Sequence, residues 1–350
     1  MAQKKEVKLE DIAEELQISI VSVSNALKGK KGVSEALREK VLKKAKELGY
    51  HIKQDADKKV EKKKYYIGVI VAERYIKEFP SFYMDIYKRI AQETTKRGSF
   101  TILEIVNEEK EKLCQNITFF SEVKLDGLII IGEMNPDYIR TVTATCQVPV
   151  VCVDYYGMDK DVDYVVTDSY GGMQEVTQYV IEQGHKEIAF VGTVEATNSI
   201  MDRYQGYCKA LMKNRLPEKA EWIIADRSKD GYNYQMEFEL PNKMPTAFVC
   251  NCDKTAYYLI EQLEQMGYRV PEDISVAGFD YYGYQNRNSR KLVTYENDEK
   301  AIAQISVNIL MKRIEGKRNC GEIRIVEGRL VKGNTIRSLK EREDKLWQEK

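Results

Sequence analysis

Two sets of residues have types and spacings suited to chemistry, and both suit recognition better than catalysis. The first is the run ISIVSVSNALKGK, residues 18 to 30. Ser19 is a natural helix N-cap, because its hydroxyl can satisfy an orphan N–H of the next turn. A helix starting there places Ile20 and Val21 on its outside, followed by Ser22, Asn25 and Lys28. The stretch is too short for a membrane and is bracketed by charge. Apolar side chains can sit against thymine methyls, and an Asn amide can make two hydrogen bonds to adenine. The spacing therefore suits a helix that faces the edges of DNA bases. It would also suit a small three-helix protein–protein module.

The second set closes apolar runs further along: Asp154-Tyr155-Tyr156, Cys252-Asp253 and Asp280-Tyr281-Tyr282. Carboxylates and aromatic rings at strand ends can hold a polar ligand, with tyrosine rings suited to the apolar face of a sugar. Catalytic machinery is not expected. The only histidines are His51 and His185, and no nucleophile elbow, P-loop or metal-ligand spacing occurs. The seven cysteines are scattered and odd in number, and they read as reduced thiols. Cys250-Asn251-Cys252 fits a strand and its end better than a metal. Neither a metal nor a cofactor is expected.

The elements that must position these groups follow from periodicity. In VKLEDIAEELQIS, Leu9, Ile12, Ala13 and Leu16 form one apolar face. A tight connection at Gln17-Ile18 leads into the helix capped by Ser19, with Val23, Ala26 and Leu27 inward. Gly29 and Gly32 break the chain. Ser34 caps a third helix with Val33, Leu37, Val41, Leu42, Ala45 and Leu48 inward, and Gly49 stops it. Ala13, a small residue where two short helices cross, fits a helix-turn-helix whose second helix enters the major groove. Residues 1–64 hold 17 Lys and Arg against 11 Asp and Glu, whereas the remainder holds 38 against 44. A basic head on an acidic body confines a nucleic-acid contact to the head.

After Lys64, strands such as YYIGVIVA, FTILEIV and LDGLIIIG alternate with helices, and the alternation resumes after Asp154. This pattern predicts an α/β body of two tandem lobes with parallel sheets, and ligands bind at strand C-termini in such sheets. The composition, 43% hydrophobic and 31% charged, is that of an ordinary soluble protein. No apolar run is long enough to span a membrane. The N-terminus lacks the apolar core of a signal peptide, so a cytoplasmic location is expected.

The chain resembles the lactose-repressor (LacI/GalR) family of transcription regulators over almost its full length. The motifs that carry the resemblance are LEDIAEELQISIVSVSNALKGKKGVSEALREKVLKKAKELGY, GHKEIAFVG, DRYQGYCKAL, VPEDISVAGFD and VEGRLVKGNTIRSL. It implies a homodimeric repressor, not an enzyme. Each subunit would carry a helix-turn-helix head on operator DNA, a hinge, and a two-lobed periplasmic-binding-protein-like core that takes a small effector, a sugar or related metabolite. The expected division is a DNA-binding domain at 1–50, a hinge at 51–64, a core at 65–338 and a charged tail at 339–350. Within the core, the first lobe would be about 65–164 with 294–325, and the second about 165–293 with 326–338.

The resemblance also assigns residues. Base reading falls to Ile20, Val21 and Asn25, flanked by Ser19, Ser22 and Lys28. Effector contacts fall to Phe82 and Tyr83 at the start of the first-lobe helix, Asp154, Arg203 of DRYQGY, Cys252 and Asp253, and Asp280 of GFD. Cys252 stands where the family has Asn. Structural roles compete with these: Phe82 and Tyr83 as core aromatics, Arg203 paired with an acid such as Asp202, and Asp154 or Asp280 capping a loop. The hinge, HIKQDADKKVEKKK, departs from the family. Ile52 stands where Pro is usual and Lys59 where a wedging Leu would be, so Lys58 and Lys59 would act on phosphates by charge.

Overall fold

The computed structural model describes residues 7–29, 32–50, 63–77, 81–115, 117–118, 122–281, 291–317 and 321–340. Lys58 and Lys59 with the rest of the hinge through residue 62, Tyr282, Cys320 and tail residues 341–350 lie outside the described residues. The chain divides into two compact units, residues 1–62 and 63–350.

The first unit contains three helices, α1 (Leu9–Leu16), α2 (Ile20–Leu27) and α3 (Glu35–Leu48). Gln17 takes a left-handed conformation and turns the chain between α1 and α2. Ser19 and Ser34 cap α2 and α3 by accepting N–H bonds from Ser22 and Leu37. Gly49 ends α3 at a φ of +73°, which an L side chain rarely adopts. Ile12, Ala13, Val23, Ala26, Val41 and Ala45 form the buried core. Leu42 does not join it: it is exposed, because the apolar face of α3 runs through Val41 and Ala45 one position away.

The second unit holds two parallel sheets. The first lobe comprises β1 (Tyr66–Ala72), α4 (Phe82–Lys96), β2 (Phe100–Val106), α5 (Glu108–Lys112), β3 (Gly127–Ile131), α6 (Pro136–Thr145), β4 (Val150–Val153) and β5 (Val162–Thr167). The second comprises α7 (Ser169–Glu182), β6 (Ile188–Val191), α8 (Asn198–Lys213), β7 (Ile223–Ile224), β8 (Ala247–Cys250), α9 (Asp253–Gln265), β9 (Ser275–Ala277) and β10 (Thr294–Glu296). Helix α10 (Glu299–Ile314) and β11 (Ile323–Val326) return to the first lobe, and β12 (Arg329–Val331) pairs with β10. The sheet orders are β11-β5-β4-β3-β1-β2 and β7-β6-β8-β9.

The central strands of the first sheet are buried on both faces, as those of a sheet with parallel crossovers must be, while its edge strands β2 and β11 are partly exposed. Its apolar strands pack against α4 and α10 on one side and α6 on the other. The second sheet packs Trp222 and α9 on one face, and Tyr207 and Met173 of α8 and α7 on the other.

Two boundaries differ from the expected lobes. Strand β5 keeps the first lobe going to Thr167. Residues 294–296 belong to the second lobe, because β10 pairs with β12 and Val293 bridges Ala277. The chain therefore crosses between lobes near Asp168, Asn297-Asp298 and Glu327-Gly328. Asp168 and Asp298 use their side chains to cap α7 and α10 immediately after crossing.

Helices α7 and α8 meet at Gly206, the glycine of DRYQGY. A Cβ there would run into the carbonyl oxygen of Tyr170 and the backbone nitrogen of Gln174. Backbone atoms cannot step aside as a flexible side chain can. Gly206→Ala is therefore expected to destabilise the core by about 1–3 kcal/mol through overpacking, read as a lower urea midpoint. An unchanged midpoint would show that the two helices separate freely.

Candidate functional site

A cavity of about 380 Å³ lies at the carboxyl ends of both sheets, between the lobes. Phe82, Tyr83, Asp154, Arg203, Cys252, Asp253 and Asp280 all line it. The lobes contribute different chemistry.

On the first lobe, Asp154 follows β4 in a left-handed conformation with φ of +57°. Its carboxylate accepts hydrogen bonds from the Tyr83 hydroxyl at 2.9 Å and the Thr167 hydroxyl at 3.3 Å. Burial pushes its carboxyl up to about 6; the Arg203 charge opposes this, and the Asp280 charge adds to it. Tyr83 stacks at a tilt on Tyr75, with ring centroids 4.4 Å apart. Burial and the Asp154 carboxylate hold its hydroxyl well above the usual phenol range. Phe82 is largely a core residue whose edge reaches the cavity.

On the second lobe, Arg203 is almost fully buried on α8. It donates to Asp280 Oδ1 at 2.9 Å, to the Asn251 carbonyl at 2.6 Å and to Ser169 Oγ at 3.3 Å, and it lies 4.1 Å from the centroid of Phe279. Its partner is thus Asp280 and not the neighbouring Asp202, which accepts from the Tyr156 hydroxyl instead. Asp280 also accepts from Asn297 Nδ2 at 3.0 Å. Cys252 is the N-cap of α9, and burial pushes its thiol up. Asp253 opens that helix and accepts a bond of 2.6 Å from the Thr294 hydroxyl. Arg203 and Asp280 therefore share one wall, and Tyr83 with Asp154 forms the other.

The strand-end tyrosines suit a sugar face by type, with some expected to be ordinary rim residues, and the described ones have other contacts. Tyr155 packs edge-on against Tyr164, and Tyr156 bonds Asp202. Tyr281 lines a separate depression. Among the described residues, the rings that line the cavity are Phe82, Tyr75, Tyr83, Tyr232 and Tyr234. Sequence reasoning also missed Arg227, which forks onto Asp226 with bonds of 3.1 and 2.8 Å directly after β7. The strand-end rule that found Asp154 and Asp280 could have found this pair. The missed Arg74 grips fully buried Glu111 with both terminal nitrogens and lies between the rings of Tyr75 and Tyr232.

Lobe-to-lobe bonds flank the cavity. The backbone N–H of Asn198, at the start of α8, donates to Glu133 Oε2 at 2.6 Å, and Asn198 Nδ2 donates to the Tyr156 carbonyl at 2.7 Å. Among the described residues, no cluster of His, Cys, Asp and Glu could hold a metal ion, and no helix is long and apolar enough to cross a membrane.

In the head, the cap at Ser19 leaves Ile20 44% and Val21 68% exposed while Val23 and Ala26 are buried. Ser22 Oγ lies 2.8 Å from Ser19 Oγ, Asn25 is half-buried, and Lys28 is exposed at the C-cap. Two large apolar residues therefore stand on the surface at the start of a short helix.

A three-helix head with an exposed recognition turn and a two-lobed core with an interlobe cavity define a DNA-binding regulator with a ligand-taking body. The family model for bacterial regulatory proteins of the lacI family matches residues 8–52, and that for the periplasmic binding protein-like domain matches residues 177–336. The chain belongs to the lacI family of transcriptional regulators. It is 26% identical over 335 residues to the transcriptional repressor PurR of Histophilus somni, covering 95% of this chain and 99% of that protein. Its fold is that of the regulator CelR in complex with cellobiose, with a TM-score of 0.66, 21% identity, and coverage of 94% and 99% of the two chains. The lac repressor dimer bound to operator and the anti-inducer ONPF superposes with a TM-score of 0.64 at 22% identity, over 95% of this chain and 100% of that one.

The raised Asp154 carboxyl makes a signed prediction. Because its folded value lies near 6 and its ordinary value is 3.8, its contribution to stability is full below the ordinary value and is lost as pH rises through 6. Asp154→Asn should therefore gain stability relative to the wild type as pH rises from about 4 to about 7, by on the order of 2–3 kcal/mol. Urea unfolding of both proteins across this range is the check. A difference that stays flat with pH would show that burial does not raise this carboxyl.

Proposed function

We propose that the chain is a repressor that acts inside the cell as a homodimer on an imperfectly palindromic, AT-containing operator, under control of a small carbohydrate-type effector. The observation that carries this reading is the convergence of the seven motif residues on one polar, ring-lined cavity. A cellobiose complex and an operator-bound dimer among proteins of the same fold support the effector class and the assembly.

Asp280 and Asp154 offer acceptors to ligand hydroxyls from opposite walls. Arg203 holds Asp280 in place on its wall. Tyr83 orients Asp154, Phe82 supplies apolar wall, and Cys252 with Asp253 shapes the start of α9. In the head, Ile20 and Val21 meet thymine methyls, Asn25 pairs with adenine, and Ser19 and Ser22 hold the turn that aims them. Lys28, Lys58 and Lys59 neutralise phosphates. A thermal-shift panel of neutral sugars on the full chain tests the cleft, since a ligand that binds only the folded state raises stability by mass action.

Asn25→Ala should weaken operator binding by roughly 1–3 kcal/mol and relax the preference at one adenine. Titration of both proteins against operators substituted at each position measures this. Full affinity with the same base preference would remove Asn25 from the base-reading set.

A further inference from the structure

We infer that the cleft is built for an uncharged effector and turns away carboxylated or phosphorylated forms of the same scaffold. The inference rests on this cleft being the effector site. Among the described residues, three guanidinium groups line the cavity: Arg74, Arg203 and Arg227. Such groups are the usual means of holding an anion. Here each is already matched by a carboxylate of the protein.

Arg74 holds both oxygens of Glu111, whose side chain is fully buried. Arg203 holds Asp280 and is 5% exposed in its side chain. Arg227 forks onto Asp226, also fully buried. Burial would raise the Asp226 carboxyl, but the Arg227 charge and fork, with bonds from the Thr193 N–H and Asn251, hold it at about 2. That acid therefore stays charged throughout the physiological range. Lys77, at the rim, pairs with Glu73, and the ammonium of Lys254 lies 4.1 Å from the centroid of Tyr234.

Asp154 adds a negative charge. Its carboxylate is held by two hydroxyls, and it faces the same space as Asp280. Beside it, Glu133 is held by a backbone N–H, and burial raises its carboxyl. Among the described residues, the charge balance at the cavity is therefore neutral to negative. An anion could gain a guanidinium only by displacing a buried carboxylate, which would then be left without its partner, and removing one member of a buried pair is strongly unfavourable. It would also approach Asp154 in a low-dielectric space, where like charges repel strongly. A hydroxyl meets neither obstacle. It can donate to Asp154 or Asp280 without altering any ion pair, while Tyr75, Tyr83, Tyr232 and Tyr234 supply ring faces and edges.

The test uses the full chain, thermal unfolding, and four probes: inorganic phosphate, glucuronate, glucose 6-phosphate and glucose, each against sodium chloride at matched ionic strength. The three anions are expected to raise the wild-type midpoint no more than the salt control does. Asp280→Asn keeps an acceptor for Arg203 but removes its charge, so this variant should acquire a midpoint increase with phosphate. If it fails to give a cooperative transition, Glu111→Gln makes the same release at Arg74. A wild-type midpoint raised by phosphate, or more by glucose 6-phosphate than by glucose, would overturn the inference. Folded variants that remain blind to phosphate would overturn it as well, because neutralisation would then not be what keeps anions out. A neutral-sugar panel without effect, alongside variants that gain phosphate binding, would instead count against the sugar-effector reading and leave the charge selectivity standing.

Discussion

A buried guanidinium must be paired and fully hydrogen-bonded, or it destabilises the fold that encloses it. That constraint acts at Arg203. Its partners come from the first turn of α7, the end of β8 and the end of β9. Asn297, on a crossing segment, then ties Asp280 from the other side. One side chain thus joins three elements of the second lobe and reaches a connection to the first. The Phe279 ring lies against the guanidinium. The close approach of α7 and α8 at Gly206, one turn along from Arg203, brings the Arg203 side chain within reach of Ser169.

The first lobe answers with Asp154 and its hydroxyl donors, and with Arg74 already held by Glu111. Tyr83, Thr167 and Asp154 form a small network at the opposite wall, and Glu133 receives the first N–H of α8. A carboxylate at a helix N-terminus is favourable, since the unpaired N–H groups there carry partial positive charge. The start of α8 is therefore tied to the first lobe, while Arg203, later on the same helix, meets the cavity. A ligand can shift the balance between arrangements of the two lobes only through contacts that differ between them. Groups on both walls of this cavity are placed to make such contacts.

Much of this was legible from local rules. Ser19, Ser34 and Gly49 act through hydrogen bonds and backbone angles within a few residues, so sequence alone places them. The exposure of Ile20 and Val21 follows from helical periodicity once the cap is known. Asp154, Arg203 and Asp280 were found by motif and strand-end position. What sequence concealed depends on packing between distant segments. Strand β5 begins among acids, and its buried Asp163 is tolerated because Arg313 of α10 reaches it. The pairing of Arg203 with Asp280 rather than Asp202 reflects the direction of a side chain on a helix, since Asp202 points to Tyr156. The Arg74–Glu111 and Arg227–Asp226 pairs have no motif, and Tyr155 was misplaced because a strand-end tyrosine can turn into its own lobe. Leu42 fits the helical face by sequence but is exposed, because the buried face of α3 runs through Val41 and Ala45.

Arg203 and Asp280 act as one coupled unit that organises the cleft wall. The most direct measurement is a double-mutant cycle on unfolding stability, using Arg203→Met, Asp280→Asn and the double variant. Each single change should leave its partner uncompensated, so the double variant should cost less than the two singles together, with a coupling of about 1–3 kcal/mol. Costs that add to within about 0.5 kcal/mol would mean that the two side chains are independent, and would contradict it.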